Sequence, residues 1–243
     1  MSPVDRTGAW SRADVHNGAI MPTDARCLVE TDESSPTVRL TGVLDRAGVE
    51  AVRDALLARL WQRPGLLLVD LSGVRITDPL ARDALDEVCR AVADWPAAEL
   101  LLDPDEPPPD TPPEPLDAEL SPVVEAAREA RVLVAGGCVT WGLPELTEPA
   151  CIAVTEMVNN VVAHAVTPMT LRLAPRDGAL HVAVRDHSAG RPAYGGPAPV
   201  DSVGGRGLLL IDTVARRWGS TALPDGKVVW CVLYAEDEVA FRN

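Results

Sequence analysis

Glu156, Asn160 and His164 recur at four-residue intervals in PACIAVTEMVNNVVAHAV, residues 149–166. On a helix that spacing puts a carboxylate, a carboxamide and an imidazole on one face. The stretch reads as a helix: Pro149 suits a first turn, apolar residues recur at three- and four-residue spacing, and Pro168 ends the pattern. A carboxylate can serve as a general base, and an amide oxygen can hold a hard cation. Such groups on an otherwise apolar helix are costly to bury without partners. The plain alternative is a half-exposed helix whose polar stripe faces water.

Two further stretches follow in order. LHVAVRDHSAGRP puts Asp186 where alternating apolar residues give way to a Ser/Gly/Pro loop, a strand end. YGGPAPVDSVGGRGLLLIDTVARRWG then sets Gly204, Gly205 and Gly207 before an apolar helical run, so backbone N–H groups can line an anion site at a helix start. Read singly, Asp186 is equally a strand-end turn acid and the glycines a plain helix-entry turn. The ordered set says more than its parts.

That set resembles the GHKL ATPase superfamily and, within it, the bacterial anti-sigma-factor serine kinases. EMVNNVVAHA is similar to the family's N box, VRDHSAGRP to its adenine-pocket box and GGRGLLLID to its second glycine box. EAAREARVLVAGGCVTWGL upstream and RRWGS and GKVVWCVLYA downstream agree, so the resemblance covers residues 119 to 236. It implies an α+β (Bergerat-type) ATP-binding sandwich with ATP and Mg²⁺ as cofactors. By the same resemblance Glu156 is the catalytic base, Asn160 the Mg²⁺ ligand and Asp186 the acceptor for the adenine amino group. Ser188, Gly190, Gly204, Gly205, Arg206, Gly207 and Leu208 complete the nucleotide-binding set, the glycines as lid hinge and phosphate cradle. The chemistry suits those roles. Mg²⁺ keeps waters and phosphate oxygens and needs few protein ligands, and a carboxylate accepts from an exocyclic amine.

Ser188 departs from the pattern, standing where many members carry glycine. The segment between Pro192 and Val203 is short and has no obvious phosphate-binding lysine. Arg206 reads equally as a phosphate contact or a solvated helix-start residue. His164 reads as structural rather than catalytic.

The elements that must position these residues divide the chain. Its 243 residues allow two modest domains, and 47% hydrophobic content fits globular structure. The reading is a tail over 1–24, an α/β domain over 25–103, a spacer over 104–118, the ATPase-like domain over 119–236 and a short tail over 237–243. A formal charge of −14 argues against nucleic acid and anionic membranes as partners. Cys27, Cys89, Cys138, Cys151 and Cys231 lack metal or disulfide spacing. With no signal-peptide pattern and no membrane-length apolar run, a cytoplasmic location is expected.

In the front half CLVE, TVRLTGVLD, GLLLVDLSGV and AELLLD read as strands, GLLLVDLSGV as a central one buried on both faces. RAGVEAVRDALLARLWQ and DPLARDALDEVCRAVADW read as amphipathic helices, the second capped by Asp78 with Pro79 at its first position. VRLTGVLD and LLLVDLSGVRITD resemble the STAS domain of anti-sigma-factor antagonists. There a serine or threonine follows the strand-end Asp and is phosphorylated; here Pro79, Leu80 and Ala81 follow Asp78, and none carries a hydroxyl. Thr77 precedes the Asp, out of register, so the domain reads as a degenerate STAS module. From Asp103 to Pro115 seven prolines and five acids make a stiff, self-repelling spacer. LSPVVEAAREARVLVAGGC opens the second domain as a helix with Ser121 at its cap. Asp177-Gly178 and Asp225-Gly226 mark two hairpins.

Two functions stay open. One is a protein serine/threonine kinase that phosphorylates a separate STAS-type antagonist, holds a sigma factor in turn, and pairs with a second copy. The other is a non-catalytic, nucleotide-gated interaction protein whose STAS-like half is a pseudo-substrate in cis.

Overall fold

The computed structural model describes residues 19–20, 27–31, 35–103, 113–188 and 206–235. The first sheet has five strands in sequential order: β1 (Ala19–Ile20), β2 (Cys27–Thr31), β3 (Thr37–Leu44), β4 (Gly65–Ile76) and β5 (Ala98–Leu102). The first two pairings are antiparallel; β3, β4 and β5 run parallel. Helices α1 (Arg46–Gln62) and α2 (Pro79–Val92) make the two crossovers and pack together with one face of this sheet. Each has a built cap: the Asp45 carboxylate accepts from Gly48 N at 2.9 Å and Asp78 accepts from Leu80 N at 3.0 Å. The core beneath them is aliphatic, with Leu40, Leu44, Leu56, Leu57, Leu67 and Leu85 fully buried. The expectation that β4 is buried on both faces is corrected: buried and half-buried residues alternate along its first half and its far end is largely exposed, because both helices lie on one side.

The second sheet is antiparallel throughout, ordered β6-β7-β8-β10-β9. Its strands are β6 (Leu116–Leu120), β7 (Met169–Arg176), β8 (Ala179–Asp186), β9 (Arg217–Leu223) and β10 (Gly226–Tyr234). On one face Leu171, Leu173, Val182, Val184, Cys231 and Leu233 share a core with α3 (Ala126–Thr140), α4 (Thr147–Asn160) and α5 (Arg206–Val214). β6 occupies residues the sequence assigns partly to the spacer, and α3 starts at Ala126 rather than after Ser121. LDAEL has one buried residue, Leu120, so its strand character comes from pairing with β7 and not from its own pattern.

The opposite face of this sheet is covered by the front half of the chain. Ala183, Leu223 and Val228 belong to the front half's hydrophobic cluster, with Trp230 packed against it. Trp61, at the end of α1, meets Trp95 edge-on at 5.7 Å and carries the Arg172 guanidinium 4.3 Å above its ring. Arg172 is itself 4% exposed, and its Nε and Nη2 donate to the two carboxylate oxygens of Asp117 at 2.7 and 2.6 Å. His181 Nδ1 lies 3.0 Å from the Asp94 carbonyl, which fixes that nitrogen as the protonated one. Arg217 donates to the Asp94 carboxylate at 2.7 Å. These contacts use the C-terminal ends of α1 and α2, whereas the Asp78 end of α2 leaves Pro79 and Leu80 exposed.

Candidate functional site

Helix α4 holds Glu156 and Asn160 one turn apart on the same face, both half-buried. Neither side chain has a hydrogen-bond partner among the described residues. Burial pushes the Glu156 carboxyl above its ordinary pKa. Directly after Asn160 the helix widens into a π turn, Val161–Ala165, closed by Val166 in the left-handed region at φ 52°. His164 lies within that turn, and its side chain is exposed.

Asp186 ends β8 at 2% exposure. A buried carboxylate must be compensated, and here three groups do so. Ser188 donates to Oδ1 through its N–H at 2.8 Å and its hydroxyl at 2.9 Å. Lys227 Nζ, directly across the β8–β10 ladder, lies 2.8 Å from Oδ2 and donates to Oδ1 at 3.0 Å and to Ser188 Oγ at 2.6 Å. The backbone beside this cluster is tight. Gly226 sits at φ 151°, and a Cβ there would fall 2.0 Å from the Asp186 carbonyl oxygen. The next residue, His187, is anchored by its N–H to Thr167 Oγ1 at 3.1 Å.

Ser188 thus joins Asp186, while Glu156 and Asn160 stand together on the helix layer over the same sheet. Gly190, Gly204 and Gly205 lie outside the described residues. Arg206, Gly207 and Leu208 form the first turn of α5, which packs on α4. Lys227 is the residue sequence reading missed. The Asp225-Gly226 turn marks its hairpin, but only the non-sequential pairing of β10 with β8 puts it opposite Asp186. The groups present fit a purine nucleotide and its cation: an amide oxygen on Asn160 with no described partner, and a buried carboxylate whose Oδ2 keeps accepting capacity.

The fold is thus an α+β sandwich joined to an α/β domain. Residues 117–233 match the histidine kinase-like ATPase domain family, and residues 27–99 match the family described as Mlab, STAS domain. The chain therefore carries an N-terminal STAS-like domain and a C-terminal histidine kinase-like ATPase domain of the GHKL type, for which ATP is the implied ligand. Among solved structures, it is similar to the RsbU and RsbW domains of a Mycobacterium tuberculosis protein, with 18% identity and a TM-score of 0.39. That match covers 51% of this chain and 33% of the other, so the chain spans a third of its relative's length. No curated protein matches the chain. Among the described residues, no helix is long and apolar enough to cross a membrane.

Proposed function

We propose that this chain is an ATP- and Mg²⁺-dependent protein serine/threonine kinase acting by partner switching in transcriptional regulation. Its substrate is a separate STAS-type protein, and its alternative partner is a sigma factor. The observation that carries the reading is the Glu156–Asn160 pair: a burial-raised carboxylate and an amide, one turn apart and without described partners. When bound, the nucleotide and its cation supply the phosphoryl group and neutralise its charge. Glu156 takes the proton of the attacking hydroxyl, and its raised pKa makes it a stronger base for that step. Asn160 holds the cation, and Asp186 accepts from the base's amine.

The hydroxyl comes from another protein. Pro79, Leu80 and Ala81 offer none, and the Thr77 hydroxyl donates to the Leu44 carbonyl at 3.3 Å. Labelled ATP with candidate STAS partners tests the reading. Transfer should occur with the native chain and fall about a hundredfold or more in Glu156→Gln, with ATP affinity kept. No transfer from a chain that binds both ATP and partner would reject it.

One observation favours the second reading, a non-catalytic nucleotide-gated adaptor: the STAS-like half is docked on the ATPase sheet in cis, through Trp61 and Asp94. On that reading, removal of residues 1–115 raises partner binding, and an unchanged truncation counts against it.

A further inference from the structure

The end of β8 is gripped from both faces of its sheet. Side chains alternate along a strand, so Asp186 lies on the helix side with Val182 and Val184, and Arg185 lies on the front-half side with Ala183. On the helix side Asp186 holds Lys227 at 2.8 Å. On the other side Arg185 Nη2 donates to both carboxylate oxygens of Asp225, each at 2.7 Å. The two pairs have opposite polarity and flank Gly226, whose backbone closes on the Asp186 carbonyl. A one-residue slip of β10 would set Lys227 opposite Arg185 or His187, so the charges favour the register that is seen. Arg185 is also well seated. Its side chain is 12% exposed, its Cζ lies 5.9 Å from the Trp61 ring centroid, and its buried Nε makes no hydrogen bond among the described residues. Asp225 orients the guanidinium, and His187 Nδ1, 3.8 Å from Asp225 Oδ2, stands too far off to replace it.

From this geometry we infer that Arg185 is a positioning residue of the nucleotide site, holding the β9–β10 turn through Asp225 so that Gly226 and Lys227 stay locked on Asp186. The inference rests on the nucleotide-binding reading above. Arg185 touches no ligand in this role, because it faces Trp61 of the front half while Asp186 points to the helix side of the same strand. An exposed ion pair adds little to folding stability. This one has a nearly buried cation and ties the turn to the residue next to Asp186, so its loss displaces the Asp186 carboxylate before it unfolds the sheet. The front half thus supports the nucleotide pocket from behind, through Trp61.

Equilibrium calorimetry with ATP and Mg²⁺ on the full chain tests this, with thermal unfolding measured alongside. Arg185→Met keeps a long stem beside Trp61, and Asp225→Asn keeps a short polar turn residue at an exposed position, so the second variant folds even where the first does not. Each should weaken ATP binding about fivefold or more, and the double variant should be no weaker than the worse single one, as expected for two residues acting through one contact. Arg217→Met is the comparison: it removes the 2.7 Å pair with Asp94 at the end of β9 remote from the turn. It should leave ATP affinity unchanged, whatever it does to the thermal midpoint. Native ATP affinity in Asp225→Asn would overturn the assignment. So would additive losses in the double variant, or a loss in Arg217→Met as large as that in Arg185→Met. Failure of the native chain to bind ATP would instead reject the nucleotide site itself, and the positioning role with it.

Discussion

Asp186, 2% exposed, is surrounded by Lys227 and Ser188, which makes it half of a buried ion pair and, on the proposed reading, a recognition group for the base as well. Breaking such a pair from one side leaves an uncompensated charge. Asp186→Ala should therefore weaken ATP binding at least tenfold and lower folding stability by about 3 kcal/mol, read by calorimetry and thermal unfolding. Cys231 makes a contrasting case. Burial pushes its thiol up to about 12, so it should resist an aromatic disulfide reagent until the chain unfolds. The placing of Glu156 and Asn160 on one helix face and of Asp186 at a strand end is legible from residue type and spacing, whereas their roles come from the family resemblance alone. Lys227 is not legible, since a lone lysine after a turn carries no local signal and gains its meaning only from the strand that lies next to it.

The second hairpin shows how an element fixes the site. Gly226 lets β10 enter against the Asp186 carbonyl, and any side chain there would collide with backbone rather than with a yielding side chain. Gly226→Ala should cost about 3 kcal/mol or more, visible as a lowered denaturation midpoint, and should displace Asp186 enough to reduce nucleotide affinity. Hairpins and caps were readable because their causes are local: Asp177-Gly178 adopts positive φ at both positions, and Asp45 and Asp78 sit one residue ahead of their helices. The π turn after Asn160 was not, because a regular apolar period continues through Val161 and Val162 while the backbone widens beneath it. β6 escaped for the opposite reason, being a strand defined by its neighbour.

At the scale of the molecule the two halves share buried surface through Trp61, Trp95, Arg172 and His181. Trp61→Ala should destabilise the chain by about 3–5 kcal/mol, since it removes a large buried ring and the support under Arg172. The same interface contains a pH dependence. Burial lowers the His181 pKa from its ordinary 6.5, with the Asp94 carbonyl bond and the Asp94 charge opposing the shift and Arg176 and Arg217 adding to it. The unfolded ring takes a proton as pH falls through 6.5 while the folded ring stays neutral. This contribution is thus fully present above that pH and declines below it. Thermal midpoints measured from roughly pH 7 to pH 5 should fall more steeply for the native chain than for His181→Gln.

Because strand residues on both sides of the second sheet are sealed into hydrophobic clusters, the peptide joining the halves is not what holds them together. A chain nicked between Asp103 and Pro113 would behave as a tight heterodimer of its own fragments. Neither fragment could be exchanged for a foreign module without stripping a whole sheet face bare.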